Sequence, residues 1–160
     1  MSMVSTIAPL ALAAALYGAV ASAGDDCSCE PGGSGDPAAT LVRAAVTLCT
    51  TNADKDRDTR LEIWISKSGD KETAYLDVGR KTKLVNGSSK VFVVPRAGSA
   101  MTRGEIPGSS LQVRITPIGH DSWRFKAKAV LKFKDGTTYQ KCFDEAALNR
   151  EARTGVYHLD

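Results

Sequence analysis

Residues 123–133 read WRFKAKAVLKF. Phe125, Ala127, Ala129, Leu131 and Phe133 take every second position, and Lys126, Lys128, Val130 and Lys132 fall between them. A period of two belongs to an extended strand with one face buried and one face wet. A helix would scatter the same side chains around its circumference. The pattern recurs where Leu61, Ile63 and Ile65 alternate with Glu62 and Trp64, and where Leu111, Val113 and Ile115 alternate with Gln112 and Arg114. Strands are predicted over 41–50, 60–66, 73–78, 90–94, 110–116, 123–133 and 138–143. Turn signals punctuate them at Ser68-Gly69-Asp70, Asn86-Gly87, Pro107-Gly108 and Asp135-Gly136. The last of these, between Phe133 and Tyr139, predicts a hairpin. Short strands with frequent turns favour an all-β fold, an antiparallel β-sandwich of about seven to eight strands. One short C-terminal helix is expected over 144–153 (DEAALNREAR), with Asp144 as its N-cap.

The first residues of the sequence set an expected compartment. Residues 1–23 contain no Asp, Glu, Lys or Arg; an apolar run from Ile7 to Val20 is followed by Ala21-Ser22-Ala23. This reads as a signal peptide cleaved after Ala23, because small residues at the last and third-last positions fit signal peptidase. The apolar run falls short of the ~20 residues that span a bilayer. No second apolar run exists, so no transmembrane segment is expected. The product is then secreted, extracellular or, in a Gram-negative bacterium, periplasmic. Segment 24–37 begins GDDCSCEPGGSGD, has almost nothing apolar to bury, and reads as a flexible leader to a domain at 38–160. The formal net charge of +3 is too mild to point to nucleic acid.

Two stretches resemble one family. Residues 45–68 (AVTLCTTNADKDRDTRLEIWISKS) give a strand, a polar loop ending Asp-Thr and an amphipathic strand. Residues 111–143 (LQVRITPIGHDSWRFKAKAVLKFKDGTTYQKCF) give a strand ending Arg-Ile, a Gly-His-Asp loop, a Trp-led strand and a hairpin. Together they resemble the PLAT (lipoxygenase homology, LH2) domain, in which a VRI-x-H-D-like strand precedes a W-x-(apolar)-x-x-V strand. The matching positions are Val113, Arg114, Ile115, His120, Asp121, Trp123, Phe125 and Val130. The first loop departs from the family in being acidic rather than glycine-rich, and 73–109 has no counterpart. The resemblance implies a β-sandwich that docks on lipid surfaces or partner proteins without catalysis, in some members with calcium.

Asp54, Asp56 and Asp58 alternate in one loop, and three carboxylates so placed can converge on a hard cation such as Ca²⁺. The loop is no EF-hand, since Ile65 stands where the twelfth-position Glu would be. Lys55 and Arg57 interleave with the acids, so a solvated, self-neutralised turn is the competing reading. In an up-and-down sandwich the loops 51–59, 79–89 and 117–122 share one end, which brings Asp121 and His120 towards these acids and makes Asp121 a fourth candidate ligand. His120 has no nucleophile motif beside it and reads as a ligand-binding or locally bonded loop residue. Lys126, Lys128 and Lys132, with Arg124 and Lys134, form a basic stripe. It can meet anionic headgroups or acidic polysaccharide at about 1 kcal/mol per side chain, or simply keep a face soluble and guard a sheet edge. Trp64 lies on the polar register, as a binding anchor or beneath a covering loop. Asn86-Gly87-Ser88 is a sequon for N-linked glycan on a eukaryotic secretory route.

Four cysteines in an exported chain read first as disulfides. Cys49 and Cys142 both fall on the polar register of their strands. In sandwiches of the family resembled, the first and last strands are neighbours, so a Cys49–Cys142 bridge is expected. Cys27 and Cys29 are left to pair with each other, stay free or link to another chain. The expected function is a secreted, non-catalytic binding module for a lipid surface, glycan or partner protein, with calcium assisting. The alternative is a secreted inhibitor or effector on an unrelated sandwich. A small hydrolase is least supported, for want of a nucleophile–base motif.

Overall fold

The computed structural model describes residues 27–30, 32–68 and 71–160. The expected signal peptide at 1–23 and the turn residues Gly69 and Asp70 lie outside the described residues. Strands run β1 (Leu41–Ala53), β2 (Arg60–Lys67), β3 (Lys71–Gly79), β4 (Ser89–Val94), β5 (Ser110–Thr116), β6 (Trp123–Phe133), β7 (Thr138–Leu148) and β8 (Thr154–His158). They form two four-stranded antiparallel sheets in a sandwich-like arrangement. Sheet A has the order β4-β1-β6-β7 and sheet B the order β3-β2-β5-β8.

The period-two pattern becomes the core. Ala44, Val46 and Leu48 of β1 and Phe125, Ala127 and Leu131 of β6 are at most 1% exposed. From sheet B, Leu61, Ile63 and Ile65 of β2 and Leu111, Val113 and Ile115 of β5 are fully buried. Burying each large aliphatic side chain is worth about 1.5–3 kcal/mol. Trp123 closes one end of this core: its indole N–H donates to Thr50 Oγ1 at 3.1 Å, and its ring stacks on Phe125 at 4.0 Å. A register shift between Leu41 and Arg43 explains why Val42 and Arg43 both face water while Leu41 and Ala44 stay inside.

The two sheets are also joined at their margins. The segment leaving β4 crosses to β3, where Tyr75 N–H donates to Pro95 O at 3.0 Å and Ala97 N–H to Thr73 O at 2.8 Å. On the far side the Tyr139 hydroxyl of β7 donates to the Leu159 carbonyl beyond β8. The Asp135-Gly136 hairpin forms as expected. Gly136 takes φ 85°, a conformation that side-chain-bearing residues avoid, and Asp135 Oδ1 accepts from Thr137 N–H at 3.0 Å.

The expected C-terminal helix is absent. Residues 144–148 extend β7, and β8 follows. The segment is rich in good helix formers, but Trp123 and Phe125 of β6 offer Leu148 and Ala146 ladder partners and a buried face. Asp144 is therefore a strand residue, not an N-cap. The chain turns instead at Asn149, whose Oδ1 accepts the N–H groups of Glu151 and Ala152, both at 2.8 Å.

The disulfides also differ from expectation. Cys27 bonds Cys49, and Cys29 bonds Cys142. Cys49 and Cys142 do lie on the outer face of one sheet, but β6 runs between β1 and β7, with Cys49 opposite Lys126 and Cys142 opposite Lys128. Two strand spacings of about 4.8 Å across the sheet, with an offset of two residues, about 6.7 Å, along it, hold the two cysteines about 12 Å apart, beyond the ~7 Å that a bridge tolerates. Cys27-Ser28-Cys29 spans that gap, one cysteine to each side. The described part of the leader is thus a strap across sheet A rather than a flexible tail. Farther along it, Asp36 N–H donates to Asp135 Oδ2 at 3.0 Å, and Arg103 reaches the Gly33 carbonyl.

Candidate functional site

The three loops expected at one end do meet there. Lys55 pairs with Leu84 as an isolated bridge, Asp54 Oδ1 accepts Asn86 N–H at 2.5 Å, and Asp121 Oδ2 accepts the Thr59 hydroxyl. The centre of the cluster is a lysine. Lys55 is fully buried, and its Nζ donates to the carbonyls of Thr82 at 2.7 Å and Asp56 at 2.9 Å. Burial lowers its pKa, against the pull of Asp121, Asp58 and Asp56 in the other direction.

Asp54 faces Lys83 at 3.5 Å, and Asp121 also receives Asp56 N–H at 3.4 Å. Asp56 and Asp58, with Arg57 and Lys83, line an open depression of about 500 Å³. Asp54, Asp56, Asp58 and Asp121 therefore share an end of the fold, but they do not converge as the expected ligand set. Among the described residues no three His, Cys, Asp or Glu side chains gather as they would around a metal ion. Lys55 lies near these acids, but its ammonium donates to backbone carbonyls rather than to a carboxylate, and Asp121, Asp58 and Asp56 act on it through space. His120 is exposed and borders a different depression, about 480 Å³, with Asn149, Arg150, Glu151 and Arg153.

The basic stripe lies on the outer face of sheet A. Lys126 and Lys132 are exposed, Lys128 is half-buried, and Arg124 faces Glu145 at 3.4 Å. β6 is an inner strand, so these lysines guard no edge. The strap crosses β6 between Lys126 and Lys128, and Cys27 Sγ lies 3.6 Å from the Lys126 carbonyl. The stripe is thereby cut in two.

Sheet B presents a different outer face, and no described segment bridges it as the strap bridges sheet A. Strand register places Tyr75 (β3), Trp64 (β2), Gln112 (β5) and Val156 (β8) in one row across all four strands. Trp64 and Tyr75 stack at 5.3 Å with planes 29° apart, and Val156 is 53% exposed. The flanking row holds Asp77, Glu62 and Arg114. Glu62 is only 9% exposed and accepts the Tyr75 hydroxyl at 3.0 Å. Arg60 joins Asp77 at 2.6 Å and Glu62 at 3.5 Å. Burial first, and then the Glu62 hydrogen bond, raises the Tyr75 pKa; the Arg60 hydrogen bond lowers that of Asp77. On its other side the aromatic row meets an open depression of about 390 Å³ lined by Trp64, Ser66, Glu72 and Gln112.

Trp64 was visible in the sequence as an outward aromatic beside Glu62. Tyr75, Gln112 and Glu72 were not singled out, because only cross-strand register puts them next to it. No protein-family model, curated protein or solved structure matches the chain.

Proposed function

We propose that the chain is a secreted, non-catalytic binding module that engages its partner through the outer face of sheet B. The observation that carries this reading is Trp64, an aromatic side chain left partly exposed on the outer face of sheet B, in one row with Tyr75, Gln112 and the exposed Val156. Large, rigid aromatic side chains in such positions are the usual anchors of recognition surfaces. Two disulfides fit an oxidising compartment, as the signal-like leader does. Among the described residues no helix is long and apolar enough to cross a membrane. The resemblance to PLAT domains supports the same class of module.

A lipid surface met through Lys126, Lys128 and Lys132 is the competing reading, and the strap across that face weighs against it. Co-sedimentation with anionic vesicles and with polysaccharide distinguishes the two. Trp64→Ala is expected to abolish the binding that the wild type shows. The triple Lys126→Gln, Lys128→Gln, Lys132→Gln variant is expected to keep it, with folding changed by less than about 0.5 kcal/mol per site. Salt-sensitive vesicle binding lost only in the triple variant would refute the proposal.

A further inference from the structure

We propose that the outer face of sheet B binds an uncharged polysaccharide chain, with Trp64 as the stacking platform and Gln112, Ser66 and Glu72 as its hydrogen-bonding rim. This rests on the reading of sheet B as the binding face and names its ligand class. A pyranose ring has an apolar C–H face and an equatorial belt of hydroxyls. Its complement is an aromatic face beside groups that both donate and accept. The depression on sheet B has that composition: one indole, one carboxamide with two donors and an acceptor, one hydroxyl and one carboxylate.

Charge selects against an acidic polymer. At the depression itself the one charged side chain is the Glu72 carboxylate, and in the flanking row Arg60 is held by Asp77 and Glu62 while Arg114 is exposed. Lys126, Lys128 and Lys132 lie on the opposite face of the sandwich, so the denser run of positive charge that would draw a polyanion is at β6.

The platform is also held in place before ligand arrives. Trp64 stacks on Tyr75, the Tyr75 hydroxyl is fixed on the nearly buried Glu62, and Glu62 is flanked by Arg60, itself paired with Asp77. Each link restricts the next, so little side-chain freedom remains to be lost on binding. The row from Tyr75 to Val156 crosses three strand spacings, about 14 Å. That is room for more than one sugar ring and suits a chain rather than a monosaccharide.

The test is affinity electrophoresis and calorimetry of the oxidised mature chain with soluble β-glucan, xylan, galactomannan and chitin oligosaccharide. Polygalacturonate and anionic vesicles serve as charged controls. The expected result is binding to at least one neutral polymer, weakened about tenfold or more by Trp64→Ala, which corresponds to about 1.4 kcal/mol. Gln112→Ala should weaken it several-fold, and Trp64→Phe should keep part of it. An unchanged melting temperature in Trp64→Phe and Gln112→Ala separates lost contact from lost fold. No binding to any neutral polymer overturns the sugar assignment. Trp64-dependent binding to polygalacturonate or vesicles alone overturns it while leaving sheet B as the binding face. Neutral-polymer binding that survives Trp64→Ala overturns both.

Discussion

Removing the two disulfides separately should destabilise the domain unequally, and by amounts that follow from where they sit. Cys27–Cys49 joins residues 22 apart, and Cys29–Cys142 joins residues 113 apart. The chain-entropy relation gives about 3.4 kcal/mol for the first loop and about 4.8 kcal/mol for the second at 25 °C, a difference of about 1.4 kcal/mol. The loops interleave, so with the first bridge in place the shortest covalent path closing the second shortens to about 95 residues. That trims the second value by only about 0.2 kcal/mol and preserves the order. For a domain of this size each kcal/mol moves the melting point by about 3–5 °C. The Cys27→Ala, Cys49→Ala pair should therefore melt roughly 10–17 °C below the wild type, and the Cys29→Ala, Cys142→Ala pair roughly 14–24 °C below. Denaturant titration of both under identical oxidising conditions is the assay. A third variant, Cys27→Ala with Cys29→Ala, probes the geometry: Cys49 and Cys142 should remain free thiols, because β6 stands between them. Equal losses in the first two variants would refute the loop-length reasoning. A Cys49–Cys142 bridge formed in the folded third variant would refute the strand order itself.

The Tyr157 hydroxyl is buried and finds no hydrogen-bond partner among the described residues, and burial pushes its pKa up to about 12. Between pH about 10 and about 12 the unfolded chain has lost a proton that the folded chain keeps, so stability falls as pH rises through that window. Tyr157→Phe should remove this share of the alkaline slope in pH-dependent denaturation while costing little or nothing at pH 7; an unchanged slope refutes it. Millimolar calcium should shift the melting point by less than about 1 °C, because the loop acids do not gather three together around one point and Lys55 adds positive charge near them. A saturable rise that Asp56→Asn abolishes would show that the loop takes the cation after all. Ile63→Ala, at a fully buried position between β3 and β5, should cost about 2–5 kcal/mol in chemical denaturation, and a loss under 1 kcal/mol would place it outside the core.

The sequence by itself marked β2, β5 and β6 and which side of each is buried, while β8 and the second half of β7 carried no such signal. Phe125 to Phe133, Leu61 to Ile65 and Leu111 to Ile115 carry that information in their own alternation, and the Asp135-Gly136 turn carries its own backbone preference. These properties are local, so neighbouring residues suffice to read them. The tertiary structure decided what depends on partners distant in the chain. Segment 144–148 has helix-forming residues, and only the free margin of β6 near Trp123 makes it a strand. Cys49 and Cys142 read correctly as outward on their strands, yet their pairing was set by β6 lying between them and by a strap whose two cysteines fit the gap. The acids of 54–58 read either as a converging set or as a self-neutralised turn, and only the folded loop shows Lys55 buried, with its ammonium on the carbonyls of Thr82 and Asp56. Trp64 was legible as an outward aromatic beside Glu62, but Tyr75 and Gln112 became its neighbours only through the register of β3, β2 and β5. That register is fixed by burying the opposite faces of those strands, and no stretch of sequence around Trp64 records it.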